Sequence, residues 1–344
     1  MPLVDTLLDP VEALAFRAAM AAPGPAQRVL AGRRLMRDGQ TLDPEIQLAL
    51  RLEKVAHDPA VETVPIPEGR RLIRKRAALV GGEQPIGTTR DVRVGELLGR
   101  LYVPEGAPAA GPLMVFFHGG AWIYGDLDSH DPVCRFLAEQ ARVRVLAVDY
   151  RLAPEHPFPA AHDDGVAAHR WVVENADELG ADPTRLAVGG DSAGGTIAAT
   201  TAIAAAREGL PLALQLLVYP VTDLRGGTPS RSTFAEGFYL TRRFMEQGEA
   251  HYLSDPDDVN DPRASPVLAD LPTGLAPAYV VTAGFDPLRD EGEAYARKLA
   301  DTGALLELRR FPQLIHGFFN LVGAGRSGPA AVAEIASRVR SALS

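Results

Sequence analysis

Ser192, Asp286 and His316 are the residues of this chain whose types and order could serve one reaction as nucleophile, orienting acid and base. Ser192 lies in Gly190-Asp191-Ser192-Ala193-Gly194, between the apolar run Arg185–Gly189 and an alanine-rich stretch that begins near Gly195. A G-x-S-x-G between a strand and a helix makes a tight turn that holds the serine oxygen out of both elements. Small residues are needed on either side, because larger ones would strike the strand and the helix. A serine hydroxyl is a weak nucleophile, so it needs a base, and that base needs an acid to orient it. Of eight histidines, only His316 follows the last predicted strand, in Gln313-Leu-Ile-His316-Gly317-Phe318. Asp286 follows the strand before it, in Gly284-Phe285-Asp286-Pro287-Leu288.

Each of these residues has a plainer reading. A histidine beside a glycine can cap a turn, and Asp-Pro is a common helix start. Asp290 and Glu291 are alternative acids, but they fall inside the following helix, where they would complement its dipole. The order Ser, Asp, His, each on a loop after a strand, favours the catalytic reading, because it is the order of the α/β-hydrolase triad. A further element is Phe117-His118-Gly119-Gly120-Ala121-Trp122, directly after another predicted strand. Acyl transfer places negative charge on a carbonyl oxygen, which needs preorganised N–H donors. Glycines let the backbone approach that oxygen closely. The amides of Gly119, Gly120 and Ala193 are the expected oxyanion donors, with His118 organising the loop.

These residues require a scaffold of strands ending on one edge. Predicted strands are Val92–Val94, Gly99–Val103, Leu113–Phe117, Val143–Val148, Leu186–Val188, Leu214–Tyr219, Tyr279–Thr282 and Leu305–Leu308. Helical patterns alternate with most of them, which implies βαβ units and a mostly parallel sheet with helices on both faces. Residues 1–85 read as helical at Pro10–Met20, Pro44–Ala56 and Glu68–Leu79, punctuated at Pro23-Gly24-Pro25 and Gly81-Gly82. The basic cluster Arg70–Arg76 reads as a solvated helix face. Residues 222–265 break the βα rhythm and read as an insertion around an amphipathic stretch, Phe238–Tyr252. The proline-rich loop Asp149–Ala160 reads as scaffold. His156, His162, Asp163 and Asp164 match no metal spacing and read as capping groups.

Composition narrows the function classes. The chain has 344 residues, 46% hydrophobic, with 35 basic against 44 acidic side chains, a net charge of −9. No basic stripe for nucleic acid is present. No apolar run reaches the length of a membrane span. No dinucleotide, phosphate-loop or zinc motif occurs, so no cofactor and no metal are expected. Cys134 is the one cysteine, which excludes an internal disulfide and reads as a buried apolar residue. The start carries Asp5, Asp9 and Glu12 and lacks a secretory pattern, so a cytoplasmic location is expected.

Together, His118–Trp122, Asp149–Pro159, Gly190–Gly195, Asp286–Glu291 and His316–Phe318 resemble the hormone-sensitive-lipase-like esterases, the bacterial family IV lipolytic enzymes. The resemblance runs over roughly residues 43–344. It implies an α/β-hydrolase fold with an eight-stranded sheet in residues 86–344 and an N-terminal helical cap in 1–85. Residues 222–265 would add to the cap, and residues 1–42 extend beyond the family's usual one. It also implies a small-molecule ester substrate and, as in many members, a homodimer formed through the last strand, here Leu305–Leu308. The family usually has a third glycine where this chain has Ala121, which narrows the pocket against bulky tertiary-alcohol esters. The activity implied is hydrolysis of short- to medium-chain esters through an acyl-enzyme on Ser192. An amidase or deacetylase using the same triad, or a binding-only relative, is the alternative. Specificity is expected to lie in Ala121 and the helices of residues 1–85.

Overall fold

The computed structural model describes residues 10–55 and 59–344. Asp5 and Asp9 of the acidic start, and Ala56 at the end of the second expected helix, lie outside the described residues. Helices α1 (Pro10–Ala21) and α2 (Gly24–Ala31) come first. They are followed by a short hairpin, β1 (Met36–Arg37) with β2 (Gln40–Thr41), and by α3 (Pro44–Val55) and α4 (Ile66–Gly81). Helix α2 was not legible as a helix, because Pro23-Gly24-Pro25 reads as punctuation. Pro25 instead falls in the first turn, where a missing N–H costs nothing.

Eight further strands form one sheet: β3 (Thr88–Val94), β4 (Leu97–Val103), β5 (Gly111–Phe117), β6 (Arg144–Asp149), β7 (Ala181–Asp191), β8 (Leu214–Val218), β9 (Ala278–Phe285) and β10 (Leu305–Ile315). Their order is β10-β9-β8-β7-β5-β6-β4-β3. The pairs β3–β4 and β4–β6 are antiparallel and the rest are parallel. The helices that connect strands are α5 (Asp131–Ala141), α6 (Ala160–Glu174), α7 (Ala193–Glu208) and α10 (Arg289–Asp301), and α11 (Ser327–Ala342) follows the last strand. The insertion carries α8 (Pro229–Thr233) and α9 (Arg242–Tyr252). Each sheet face has its own core, as the two-residue period of a strand requires. Leu113, Val115 and Phe117 of β5 pack into one core, and Met114 and Phe116 into the other.

Register explains why distant residues meet. Phe285 pairs with Ile315, so the next residue on each strand, Asp286 and His316, leaves the sheet at the same place. Phe117 pairs with Gly190, which sets the His118–Gly120 loop beside the serine turn. The N-terminal segment braces the same edge. Gln40 Nε2 donates to Gly284 O at 3.2 Å and Asp43 N to Gln313 O at 3.0 Å, while Asp38 pairs with Arg289 at 2.8 Å.

The Arg70–Arg76 cluster is not the solvated face expected from its charge. Arg70 donates to Ile123 O and Ala153 O and forms a two-pronged pair with Glu155, and Arg76 reaches Pro59 O. The Arg70 guanidinium ties α4 to the loops that follow β5 and β6, and that of Arg76 ties it to the segment after α3. His162 and Asp164 also differ from the capping reading. His162 Nδ1 lies 2.8 Å from Thr200 Oγ1 and Nε2 lies 2.6 Å from Tyr252 OH, and Asp164 holds Arg151. Cys134 is fully buried, and burial pushes its thiol well above the usual range. No helix among the described residues is long and apolar enough to cross a membrane.

Candidate active site

Ser192 stands between β7 and α7 with φ 53° and ψ −119°, a left-handed conformation that a non-glycine residue adopts only under constraint. Its N–H donates to Val218 O at 2.9 Å and its carbonyl accepts from Thr196 N at 3.2 Å, which fixes the turn from both sides. The flanking glycines are sterically required. A Cβ at Gly190 would come 2.6 Å from Phe117 O, and one at Gly194 would overlap the same carbonyl.

His316 Nε2 lies 3.0 Å from Ser192 Oγ, and His316 Nδ1 lies 2.9 Å from Asp286 Oδ2. A carboxylate accepts only, so Nδ1 carries the proton and Nε2 presents its lone pair to the serine hydroxyl. Asp286 Oδ1 accepts the Leu288 N–H at 2.8 Å, which locks the carboxylate. Asp286 is 0% exposed, His316 5% and Ser192 9%, so the array is shielded and opens only at the serine end. The His316 ring packs on Tyr219, with centroids 4.3 Å apart. Asp290 and Glu291 do not meet His316. They do more than complement the dipole of α10: Asp290 accepts from Ser230 N, and Glu291 accepts from Thr222 N and Arg231.

Gly119 departs from the role expected of it. Its N–H donates to Asp191 Oδ1 at 2.9 Å in a buried setting, so that donor is already engaged. The amides of Gly120, Ala121 and Ala193 have no protein acceptor among the described residues. Ala121 and Trp122 follow in left-handed conformations, with φ 52° and 58°, which turns the loop sharply beside Ser192. His118 does organise this loop. Its Nδ1 donates to Gly119 O at 2.9 Å, and its own carbonyl accepts from Tyr150 OH at 2.7 Å. Burial and the neighbouring His130 push the His118 pKa down to about 4, so the ring stays neutral.

Asp191 is the residue that sequence reasoning missed. It is buried, accepts from Gly119 and lies 3.3 Å from His130 Nε2. Burial opposes its charge, but His130, the Gly119 amide and His316 hold its carboxyl below the usual range. It therefore ties the glycine loop to the serine turn. The G-x-S-x-G pattern specifies only the glycines and the serine, so it carries no signal of this role.

Ser192 opens on a cleft lined by Ala121, Trp122, Leu240, Phe244, Met245 and Leu288, among others. No described residue of 1–85 lines it, so its wall comes from the insertion together with Ala121, Trp122, Val221 and Leu288, rather than from the N-terminal helices expected to carry specificity. The N-terminal helices reach the insertion through Glu62, which accepts from Thr241 Oγ1 at 2.8 Å. A Cβ at Gly248 of α9 would come 2.6 Å from Ala121 Cβ, so the alanine in the glycine loop is matched by a glycine opposite.

The chain matches a family model described as the alpha/beta hydrolase fold over residues 114–320. It is 45% identical over 335 residues to the carboxylic ester hydrolase LipN of Mycobacterium tuberculosis, covering 94% of this chain and 89% of that protein. It is 39% identical over 297 residues to an ethyl acetate hydrolase of Pseudomonas putida, covering 82% and 93%. Among solved structures, an ester hydrolase from the metagenome of Lake Arreo superposes with a TM-score of 0.84 at 40% identity, over 87% of this chain and 98% of that one. A hyperthermophilic esterase from the archaeon Pyrobaculum calidifontis gives 0.82 at 38% identity, over 88% and 99%. With this fold, strand order and similarity, the chain belongs to the hormone-sensitive-lipase-like esterases of the α/β-hydrolase fold.

Proposed function

We propose that this carboxylic ester hydrolase acts on short- to medium-chain acyl esters through an acyl-enzyme on Ser192. The observation that carries the reading is the unbroken chain Asp286 Oδ2, His316 Nδ1, His316 Nε2, Ser192 Oγ, with steps of 2.9 and 3.0 Å across the ring. His316 takes the serine proton as Oγ attacks the ester carbonyl. Asp286 holds the ring in the tautomer that can accept it and stabilises the imidazolium. The tetrahedral oxyanion is received by the Gly120 and Ala193 amides, with the Ala121 amide in the place first expected of Gly119. His316 then protonates the leaving alcohol, and a water that it deprotonates releases the acid.

The N-terminal helices and residues 222–265 act as a cap over the catalytic part, residues 86–344. The mostly apolar lining of the cleft at Ser192 supports an acyl or alkyl arm as its occupant. Strand β10 lies at the sheet edge and exposes Leu306 and Leu308, which supports pairing of two copies there. The acidic composition and single cysteine support a cytoplasmic enzyme. The test is turnover of p-nitrophenyl butyrate. Ser192→Ala should lower kcat by on the order of 10⁴ or more, whereas a variant that keeps the wild-type rate overturns the assignment. Matched ester and amide substrates distinguish the esterase from an amidase, and the ester should be turned over far faster.

A further inference from the structure

The cleft at Ser192 is apolar on most of its wall, yet it carries one charged pair. Its apolar wall includes Leu240, Phe244 and Met245, and the two charged lining residues are Arg231 and Glu249. Arg231 sits on α8 and is held from three sides. Its Nε donates to Glu291 Oε2 at 2.7 Å, Nη1 to Glu249 Oε1 at 3.0 Å and Nη2 to Asp223 O at 3.2 Å. Glu291 is fully buried, so Arg231 cannot leave it without stranding a charge. Glu249 is different. Its side chain is 28% exposed, it faces the cleft from α9, and Arg231 keeps Glu291 without it.

We infer that the Arg231–Glu249 pair sets the upper limit of substrate chain length, by placing a fixed charge on the wall that a longer alkyl arm must cover. The inference rests on the esterase reading above and names the specificity of that same site. An alkyl arm on the apolar wall gains about fourfold per buried methylene. Over the ion pair that gain ends, because methylenes displace water from the charges and offer no hydrogen bond in return. Met245 and Glu249 are four residues apart on α9, so they share a helix face and occupy successive positions along the wall. Glu249 is a specificity residue and takes no part in bond making.

The experiment compares kcat/KM for p-nitrophenyl butyrate and octanoate, and for ethyl and hexyl acetate, in the wild type, Glu249→Leu, Glu249→Gln and Glu246→Leu. Glu246 lies exposed on the same helix and serves as the control. In one of the two series, Glu249→Leu should raise the long-to-short ratio at least tenfold and Glu249→Gln about threefold, with Glu246→Leu unchanged. A folded Glu249→Leu whose ratios stay within twofold of wild type in both series overturns the inference. Should Glu249→Leu not fold, a flat profile in Glu249→Gln overturns it equally. Failure of the esterase reading looks different, since the wild type itself would then show no turnover that depends on Ser192.

Discussion

Two aspartate–histidine–serine arrays lie side by side in this protein, and only one has the geometry of a catalyst. In the first, Asp286 meets His316 Nδ1 at 2.9 Å and His316 Nε2 meets Ser192 Oγ at 3.0 Å. In the second, Asp191 lies 3.3 Å from His130 Nε2, and His130 Nδ1 lies 3.0 Å from Ser129 Oγ. The second fails at every link. The Asp191–His130 approach is not aligned as a hydrogen bond, since His130 Nε2 has no bonded partner. Ser129 Oγ already donates its single proton to Asp126 O at 2.9 Å and is closed within a turn. Ser192 instead sits on a strained turn that opens on a cleft. Residue types in proximity do not make a triad; direction, an uncommitted proton and access do.

The contrast can be broken or sharpened in steps. After loss of the nucleophile itself, the largest effect is expected at the acid. Asp286→Asn keeps the shape but loses the carboxylate that fixes the His316 tautomer, so kcat should fall by about 10⁴. Ser129→Ala, which removes the serine of the second array, should keep kcat within about twofold. Ester turnover by both variants checks the pair, and a large loss in Ser129→Ala would break the distinction. A smaller loss is expected at Asp191, which touches no reacting atom and acts as a positioning residue. Asp191→Asn should lower kcat by about 10-fold to 10²-fold, less than removal of an oxyanion donor, with KM little changed. A rise in KM at constant kcat would instead mean that Asp191 shapes the substrate cleft.

The last prediction concerns pH and stability rather than rate. Burial pushes His118 and His169 down to about 4 and His162 to about 3, all below the ordinary value near 6.5. Each ring is neutral in the folded protein, whereas the unfolded chain takes up protons as pH falls through about 6.5. Their contribution is therefore intact above that pH and is lost between about 6.5 and 4. The slope is about 1.4 kcal/mol per pH unit for each histidine, or roughly 4 kcal/mol for the three at pH 5.5. Urea unfolding at pH 7.5 and 5.5 measures the difference, and equal stability at the two values would contradict it.

Much of this was readable from the chain, for physical reasons. Apolar runs such as Leu113–Phe117 form buried central strands with parallel neighbours and announce themselves by composition. Ser192, Asp286 and His316 follow strands in a fixed order, so their sequence positions foretell that they leave the same sheet edge. Gly119 and Gly120 could not be told apart, because which amide is engaged depends on Asp191, a contact across 72 residues. The cleft wall was equally hidden. Phe244, Met245 and Glu249 read as one amphipathic stretch, and only packing shows which face meets Ser192. The Asp164–Arg151 and His162–Tyr252 contacts link residues that look like local capping groups.

The central claim is that Ser192, and not its neighbour in the second array, is the nucleophile. The direct measurement is to label the protein with a fluorophosphonate and map the modified residue by peptide mass spectrometry. The account predicts one adduct, on Ser192, lost in His316→Ala and retained in Ser129→Ala. An adduct on Ser129 or on any other serine, with Ser192 unmodified, would contradict it.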